Sequence, residues 1–301
     1  MQYLKGFTSY NSESPCAVTF GKFDGIHAGH QKLIEKVHEL SQQNTVKSVV
    51  CAFDMFKRVQ ITSVGEKEAL LFDKIDCFID CPFTDEIRKM DCETFISKII
   101  CETLHATFVV VGSDFRFGYK ASGNVETLES FSKHYGYKLI VIEKEEYDGR
   151  KISSTFIREA LEEGNIGLTN RLLGYPYGIL GRVEKGKQLG RKLGFPTINI
   201  SWPLEKIYPP FGVYYTHVYV DGKRWNAISN LGVRPTVTSV QEVYLESFIL
   251  DYSGDLYGEN VKVELIDFAR NEEKFSDLSE LKMQVASDIE KAKKFFENLT
   301  D

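Results

Sequence analysis

The spacing of apolar residues changes once along this chain, and the change divides it into two parts with different secondary structure. Up to about residue 158, short apolar runs such as 17–20 and 107–112 alternate with stretches that carry apolar residues at helical spacing. Nearly continuous apolar strands with helices between them favour a parallel sheet covered on both faces. From residue 177 onward, apolar and polar residues alternate, and turn signals such as Asp221-Gly222 separate the runs. We therefore predict an antiparallel β-barrel there, with residues 278–299 as an amphipathic helix packed on it.

The length of 301 residues suits two domains. We predict a first domain over residues 1–158, a helical connector over 159–176 and a second domain over 177–301. No apolar run approaches the roughly 20 residues that cross a bilayer, and the N-terminal residues lack the pattern of a signal peptide. We therefore expect a soluble, cytoplasmic chain.

Charge and cysteine usage narrow the function classes further. The net charge is −6 and no basic block occurs, so we expect neither nucleic acid nor membrane as a partner, and any basic site should be phosphate-sized. None of the six cysteines forms a C-x-x-C pair, which favours reduced thiols, partly in the core, over a zinc or redox site. The sequence gives no indication of the oligomeric state.

The first candidate site follows the apolar run 17–20, in the sequence GKFDGIHAGH. Glycines allow tight turns and close approach of the backbone to a ligand, and the start of the following helix is a ready anion site. His27 and His30 lie at that start and could donate hydrogen bonds to the α-phosphate of a nucleotide. The candidate ligand-binding residues here are Gly21, Phe23, Asp24, Gly25 and Gly29.

Two further stretches fit the same site. ISSTFIREAL places hydroxyls and one guanidinium, suited to the β- and γ-phosphates, at a loop-to-helix junction. Taken alone, the stretch is better interpreted as a well-capped helix. GSDFRFGYKASGN follows the apolar run 107–112 and has aromatic residues that could stack on a flat ring. The candidates are Ser153, Ser154, Thr155 and Arg158 in the first stretch, and Asp114, Phe115 and Arg116 in the second.

The second candidate site lies in GRVEKGKQLGRKLGFPTINI, residues 181–200. Its glycines and cations form a flap suited to phosphates, but it lacks the Walker A pattern. Thr197 and Asn199 are two apart at the start of a strand, so both side chains face the same side, and their oxygens are hard ligands suited to Mg²⁺. Taken alone, these two residues are better interpreted as a polar strand face. The ligand-binding candidates are Gly186, Gly190, Arg191, Gly194, Pro196, Thr197 and Asn199, with Thr197 and Asn199 as metal ligands.

These motifs, in this order, resemble a known family. The H-A-G-H sequence resembles the nucleotidylyltransferase signature, and with GSDFRFG and ISSTFIR it is similar to the adenylyltransferase module of bacterial bifunctional FAD synthetases (riboflavin kinase/FMN adenylyltransferase). FPTINI, YPPFGVYYTHV, SNLGVRPTV and ESFILDYSGDLYG resemble the riboflavin kinase module of the same enzymes. The resemblance implies a Rossmann-like α/β nucleotidylyltransferase domain followed by a β-barrel riboflavin kinase domain with a C-terminal helix.

The resemblance also implies substrates and roles. Riboflavin and FMN would be the flavin substrates, FMN and FAD the products, ATP the co-substrate and Mg²⁺ the metal. Glu246 takes the position of the catalytic base. The kinase reaction needs a base because the riboflavin hydroxyl must lose a proton, whereas the adenylyl transfer needs none because the phosphate of FMN is already anionic. Arg270 takes the position of a residue that closes over the flavin.

The chain departs from the family after Asp54, where Met55-Phe56-Lys57 replaces the usual Pro-His-Pro. Lys57 could supply the positive charge of the missing histidine, or it could be a solvated surface lysine. Three interpretations therefore remain: a bifunctional enzyme, a riboflavin kinase with a weak or inactive N-terminal domain, and a non-catalytic flavin sensor.

Overall fold

The computed structural model describes residues 1–54, 59–186, 190, 193–234 and 242–299. It divides into two compact units, Met1–Ser154 and Thr155–Asp301, and each is described by itself. Lys57 and Arg191, both named in the sequence analysis, lie outside the described residues.

The first unit is built on one sheet of six parallel strands in the order β1-β4-β3-β2-β5-β6. The strands are β1 (Gln2–Lys5), β2 (Cys16–Gly21), β3 (Lys47–Asp54), β4 (Cys77–Pro82), β5 (Ala106–Gly112) and β6 (Lys138–Ile142). The helices are α1 (Ala28–Asn44), α2 (Val64–Leu71), α3 (Asp85–Lys89), α4 (Cys92–Thr94, continued by a π-helix over Phe95–Thr103) and α5 (Val125–Tyr135). Short 3₁₀ turns cover Phe7–Ser9 and Tyr119–Ala121, and a small hairpin pairs β7 (Glu146–Tyr147) with β8 (Arg150–Lys151).

This sheet confirms the predicted parallel α/β fold, and five of its strands lie on the five apolar runs of the sequence. The edge strand β1 was missed because three of its four residues are exposed, so no apolar run marks it. Strands β2, β3 and β4 follow one another toward one edge, whereas β5 and β6 lead toward the other. The direction of winding therefore reverses between β2 and β5, and ligands of such sheets bind at the carboxyl ends of the strands that flank this point.

Four cysteines fill part of the core on one face of this sheet. Cys16, Cys51, Cys77 and Cys81 are buried, and all six cysteines are free thiols. Burial raises the pKa of the Cys77 thiol to about 11. These side chains therefore act as small apolar core residues, as the sequence predicted.

The second unit is a sheet of six antiparallel strands in the order β10-β13-β12-β11-β14-β9. The strands are β9 (Gly178–Arg182), β10 (Ile198–Ser201), β11 (Gly212–Val220), β12 (Lys223–Arg234), β13 (Glu242–Ile249) and β14 (Asn260–Asn271). The sheet nearly closes into a barrel, since an isolated bridge joins Glu184 to Asn199, and a Cβ on Gly181 would lie 2.3 Å from Ile200 Cγ2. The C-terminal helix α8 (Leu278–Asn298) packs on the barrel through Ile289 and Ala292, as predicted.

The segment predicted as a connector, residues 159–176, contains the end of α6 (Ser154–Glu162) and all of α7 (Ile166–Leu173). Asn170 of α7 donates to Leu265 O at 2.9 Å, and its Oδ1 accepts from Tyr177 N at 2.7 Å. Helix α7 is thus part of the second unit's packing as well as a connection. None of the helices within the described residues is long and apolar enough to cross a bilayer.

Candidate active sites

The first candidate site is the loop between β2 and α1, and contacts within the unit hold it in place. Asp24 Oδ1 accepts from Ile61 N at 2.7 Å, Gly25 N donates to Thr62 Oγ1 at 3.2 Å, and Ser154 Oγ donates to Asp24 O at 2.9 Å. Gly25 has φ +88°, a left-handed conformation in which a side chain is strained. These hydrogen bonds to neighbouring segments and the conformation of Gly25 thus define the shape of the loop.

His27 and His30 lie together at the start of α1. Their rings stack with centroids 3.7 Å apart, and His27 Nδ1 accepts from His30 N at 3.3 Å, so His27 is also the N-cap of the helix. Because Nδ1 is an acceptor, the proton of the neutral ring is on Nε2, which is left as the donor. A Cβ on Gly29 would lie 3.3 Å from the His27 ring, so the absence of a side chain at Gly29 avoids a tight contact with that ring.

The electrostatic environment keeps both histidines neutral. Burial, then the nearby Lys144, lowers the pKa of His27 to about 4. Burial also lowers the pKa of His30 well below its usual value, with further contributions from His27, Lys67 and Lys144. Near pH 7 the pair is therefore a set of neutral hydrogen-bond donors, and positive charge at this site comes from lysines.

The loop after β5 contributes one charged pair and two aromatic rings. Asp114 Oδ2 lies 2.5 Å from Lys144 Nζ, which joins the loops after β5 and β6. Phe115 and Phe117 stack at 5.7 Å, with the planes tilted by 13°. Phe117 is buried and Phe115 partly buried, whereas Arg116 is exposed. Of the two rings, Phe115 is thus the one with surface left for a ligand.

One sequence-predicted residue is part of the core, and two others lie outside the first unit. Phe23 is fully buried and packs against His30 with ring centroids 4.9 Å apart, so a ligand could reach Phe23 only through its backbone. Thr155 and Arg158 belong to the second compact unit, and their role at the first site stays a prediction. Gly21 lies at the end of β2, with Phe23 Cε2 3.2 Å from where its Cβ would be.

The second candidate site is a row of polar residues across three neighbouring strands. Asn199 on β10 is directly opposite Glu246 on β13, which is directly opposite Asn230 on β12. Directly opposite residues of an antiparallel sheet project on the same face. Asn199 is buried and Glu246 exposed, and Asn230 Nδ2 donates to Glu272 Oε1 at 3.3 Å. Strand pairing thus brings the predicted metal ligand and the predicted base together.

Glycines of the predicted flap lie against the PTxN residues. A Cβ on Gly186 would lie 2.6 Å from Asn199 Nδ2, and one on Gly190 would lie 2.4 Å from Phe195 O and 3.3 Å from Thr197 Oγ1. Contacts below 3 Å cannot be accommodated without movement. At Gly190 the near atom is backbone, so that position needs glycine, whereas a side chain at Gly186 would displace the Asn199 amide. Gly194 has φ +90°, which forms the turn before Pro196.

Two cavities meet at Thr197. The larger, of about 520 Å³, is lined by Thr197, Glu246 and Arg270 together with apolar side chains. Its apolar lining includes Leu193, Phe195, Val213, Ile228, Phe248, Phe275, Leu281 and Val285. The smaller, of about 170 Å³, is lined by Gly186, Pro196, Thr197 and Asn199. The larger cavity is thus a chamber with an apolar wall on which a flat aromatic ligand could pack, and with charged side chains such as Glu246, Arg270 and Asp288 among the rest of its lining. The smaller cavity lies beside Gly186 of the flap.

Sequence reasoning missed residues that only the fold brings to these sites. Lys144 carries no motif, and its place beside both histidines depends on the adjacency of β5 and β6. Asn230 stands within SNLGV, but its place beside Glu246 depends on strand register. Asp288 lies on α8 and lines the larger cavity, which no local pattern indicates.

Comparisons with known proteins match both halves. A family model described as FAD synthetase matches residues 9–156, and one described as riboflavin kinase matches residues 173–296. The chain is 34% identical to a bifunctional riboflavin kinase/FMN adenylyltransferase of Haemophilus influenzae, over 98% of this chain and 99% of that one. The protein of the same name from Escherichia coli K12 is also 34% identical, over 98% of each chain.

A solved structure covers the same length. The crystal structure titled a macrolide-efflux protein from Streptococcus pneumoniae has a TM-score of 0.86 and 27% identity, over 97% of this chain and 98% of that one. The two chains therefore share a fold along nearly their whole length. On the two family models and the full-length relatives, this chain belongs to the family of bifunctional riboflavin kinase/FMN adenylyltransferases.

Proposed function

We propose that the second unit phosphorylates riboflavin to FMN with ATP, and that the first transfers AMP from ATP to FMN, forming FAD and pyrophosphate. Membership of the family supports both activities. The observation that carries the kinase assignment is the row Asn199–Glu246–Asn230 beside a chamber that has an apolar wall. Six free thiols are consistent with a reducing compartment, and we propose the cytoplasm as the place of action.

In the kinase reaction, the 5′-hydroxyl of riboflavin forms a new bond to the γ-phosphorus of ATP while the bond to the ADP oxygen breaks. Glu246, exposed at the chamber wall, accepts the proton that the hydroxyl loses. The apolar walls hold the flavin ring, which keeps the hydroxyl in place and water away. Glu246 is thus assigned the role of general base.

Mg²⁺ fits the residues beside the smaller cavity. Thr197 and Asn199 offer hard oxygen ligands, and the space in front of Asn199 is one that a Cβ on Gly186 would fill. Within the described residues no cluster of three His, Cys, Asp or Glu could hold a metal, which suits an ion bound mainly by nucleotide phosphates. When bound, Mg²⁺ supplies neutralisation of the phosphate charge.

In the adenylyl transfer, a phosphate oxygen of FMN forms a bond to the α-phosphorus of ATP, and the bond to pyrophosphate breaks. No base is needed, because that oxygen is already anionic at pH 7. His27 would donate from Nε2 to an α-phosphate oxygen as charge builds on it. Lys144, which Asp114 holds in place, adds positive charge near the pair.

The test is to incubate the purified full chain with riboflavin, ATP and Mg²⁺ and to separate the flavins chromatographically. FMN followed by FAD is expected. FMN alone would mean an inactive first unit, and no new flavin would leave only the sensor interpretation.

Glu246→Gln should abolish FMN formation from riboflavin while FAD formation from supplied FMN continues. The matched control is Glu259→Gln, an exposed glutamate of the same unit, which should change neither rate. Equal loss of both activities in Glu246→Gln would contradict the two-site assignment.

A further inference from the structure

Arg270 is held rigidly at the wall of the larger cavity. Its Nε donates to both carboxylate oxygens of Asp288 at 3.0 and 3.1 Å, Nη2 donates to Asp288 Oδ2 at 2.7 Å, and Nη1 donates to Asn271 O at 2.9 Å. A guanidinium has five N–H donors, so these bonds use three and leave one on each Nη. Both Arg270 and Asp288 line the cavity.

The carboxylate of Asp288 is committed to this arrangement. Its side chain is only 8% exposed, and Gln284 Nε2, one helical turn earlier, donates to Oδ1 at 2.8 Å. Burying a carboxylate is costly unless it is paired and hydrogen-bonded. With its oxygens occupied by Arg270 and Gln284, Asp288 is placed to orient the arginine and not to bind a ligand itself.

Helix α8 also has an apolar contact with the barrel that does not involve this ion pair. Ile289 and Ala292 are buried against Val213 and Ile228 of the barrel, which provides an apolar contact of the kind that fixes helices on sheets. A buried aspartate at position 288 therefore has a more specific effect than packing, namely the direction of the Arg270 guanidinium.

We propose that Asp288 is a positioning residue for riboflavin recognition: it orients Arg270 so that the two remaining N–H groups meet carbonyl oxygens of the isoalloxazine ring. This inference rests on the proposed riboflavin kinase activity. A free arginine side chain has many rotamers, and a bidentate carboxylate selects one of them before the ligand arrives. The C-terminal helix α8 thereby contributes to the flavin site indirectly, because its Asp288 orients Arg270.

The experiment measures riboflavin binding and kinase kinetics in the full-length chain. Asp288→Asn keeps the size of the side chain but removes its charge, and Arg270→Lys keeps the positive charge but removes the fork. Glu290→Gln is the matched control, because Glu290 lies on the same helix and is exposed, with Lys293 as its partner. Riboflavin binding is followed by flavin fluorescence without ATP, and helix docking by thermal unfolding.

Loss of an oriented, charge-assisted bond predicts that Asp288→Asn raises the Kd and KM for riboflavin about tenfold. The kcat and the KM for ATP should stay within about twofold, and Glu290→Gln should match the wild type. In the Arg270→Lys background, Asp288→Asn should add little, since the residue acts through the arginine.

Three results would overturn the proposal. In the first, the riboflavin affinity of Asp288→Asn equals that of Glu290→Gln. In the second, Arg270→Lys binds riboflavin as tightly as the wild type, and this result refutes the proposal even if Asp288→Asn does not fold. In the third, the KM for ATP and the melting temperature change together with the riboflavin affinity, which would mean that the Arg270–Asp288 ion pair only holds α8 on the barrel. A wild-type chain that binds riboflavin but forms no FMN would refute the kinase assignment separately.

Discussion

Replacing His27 with asparagine should separate its two roles, as helix cap and as phosphate donor. His27 caps α1 by accepting from His30 N through Nδ1, and asparagine is among the best N-cap residues because its Oδ1 accepts in the same way. The asparagine side chain is shorter, however, and has no donor at the Nε2 position. We expect His27→Asn to keep the fold at pH 7.5 and to slow adenylyl transfer on the order of 10²–10³-fold, the usual loss for one transition-state donor.

The same variant should remove a pH dependence of stability. The pKa of His27 falls from 6.5 in a free side chain to about 4 in the folded chain. A group whose pKa is lowered by folding stabilises the protein fully above pH 6.5, and this stabilisation is lost as the pH falls toward 4. Between pH 7.5 and 5 the wild type should therefore lose about 2 kcal/mol that His27→Asn does not lose.

The assay can distinguish the two units. Both tryptophans, Trp202 and Trp225, lie in the second unit, so their fluorescence follows that unit, whereas far-ultraviolet circular dichroism follows both. Urea titrations at pH 7.5 and 5 would compare the wild type, His27→Asn and His38→Asn, the last being an exposed histidine of the same helix. If His27→Asn has wild-type adenylyl transfer, or loses as much stability at pH 5 as the wild type, the assigned role of His27 is wrong.

Two further predictions concern the second unit. Gly186→Ala should lower the kcat/KM of riboflavin kinase for ATP by roughly tenfold or more, because its Cβ would lie 2.6 Å from Asn199 Nδ2. Steady-state kinetics measure this change, and Gly167→Ala is the control because its Cβ would meet nothing within 4 Å. The fragment Thr155–Asp301 should fold alone and phosphorylate riboflavin, since it holds its own barrel core and α8. An unfolded fragment by circular dichroism, beside an active full-length chain, would contradict this.

The first site was largely predictable because its residues are close in the chain. His27, Gly29 and His30 follow the end of β2 by only six to nine residues, and an apolar run followed by a glycine loop is a local pattern. What the sequence could not give was the protonation state of the histidines. That depends on their burial and on Lys144, more than one hundred residues further on. The same limit explains Phe23, whose sequence position suggested a ligand contact although its side chain is part of the core.

The second site is assembled differently, and this is why its residues were harder to assign from the sequence. Asn199, Glu246 and Asn230 come together only because β10, β13 and β12 are neighbours in one register. A slip of β13 by one residue would turn Glu246 to the opposite face and bring the neighbouring Ser247, which is buried, to the larger cavity. Ser247 instead shares a buried hydrogen-bond network with Ser229 and Thr216, with both oxygen–oxygen distances at 2.7 Å. A register shift would therefore expose the apolar face and break that network, so the packing of the barrel interior also fixes the face on which Glu246, the proposed base, lies.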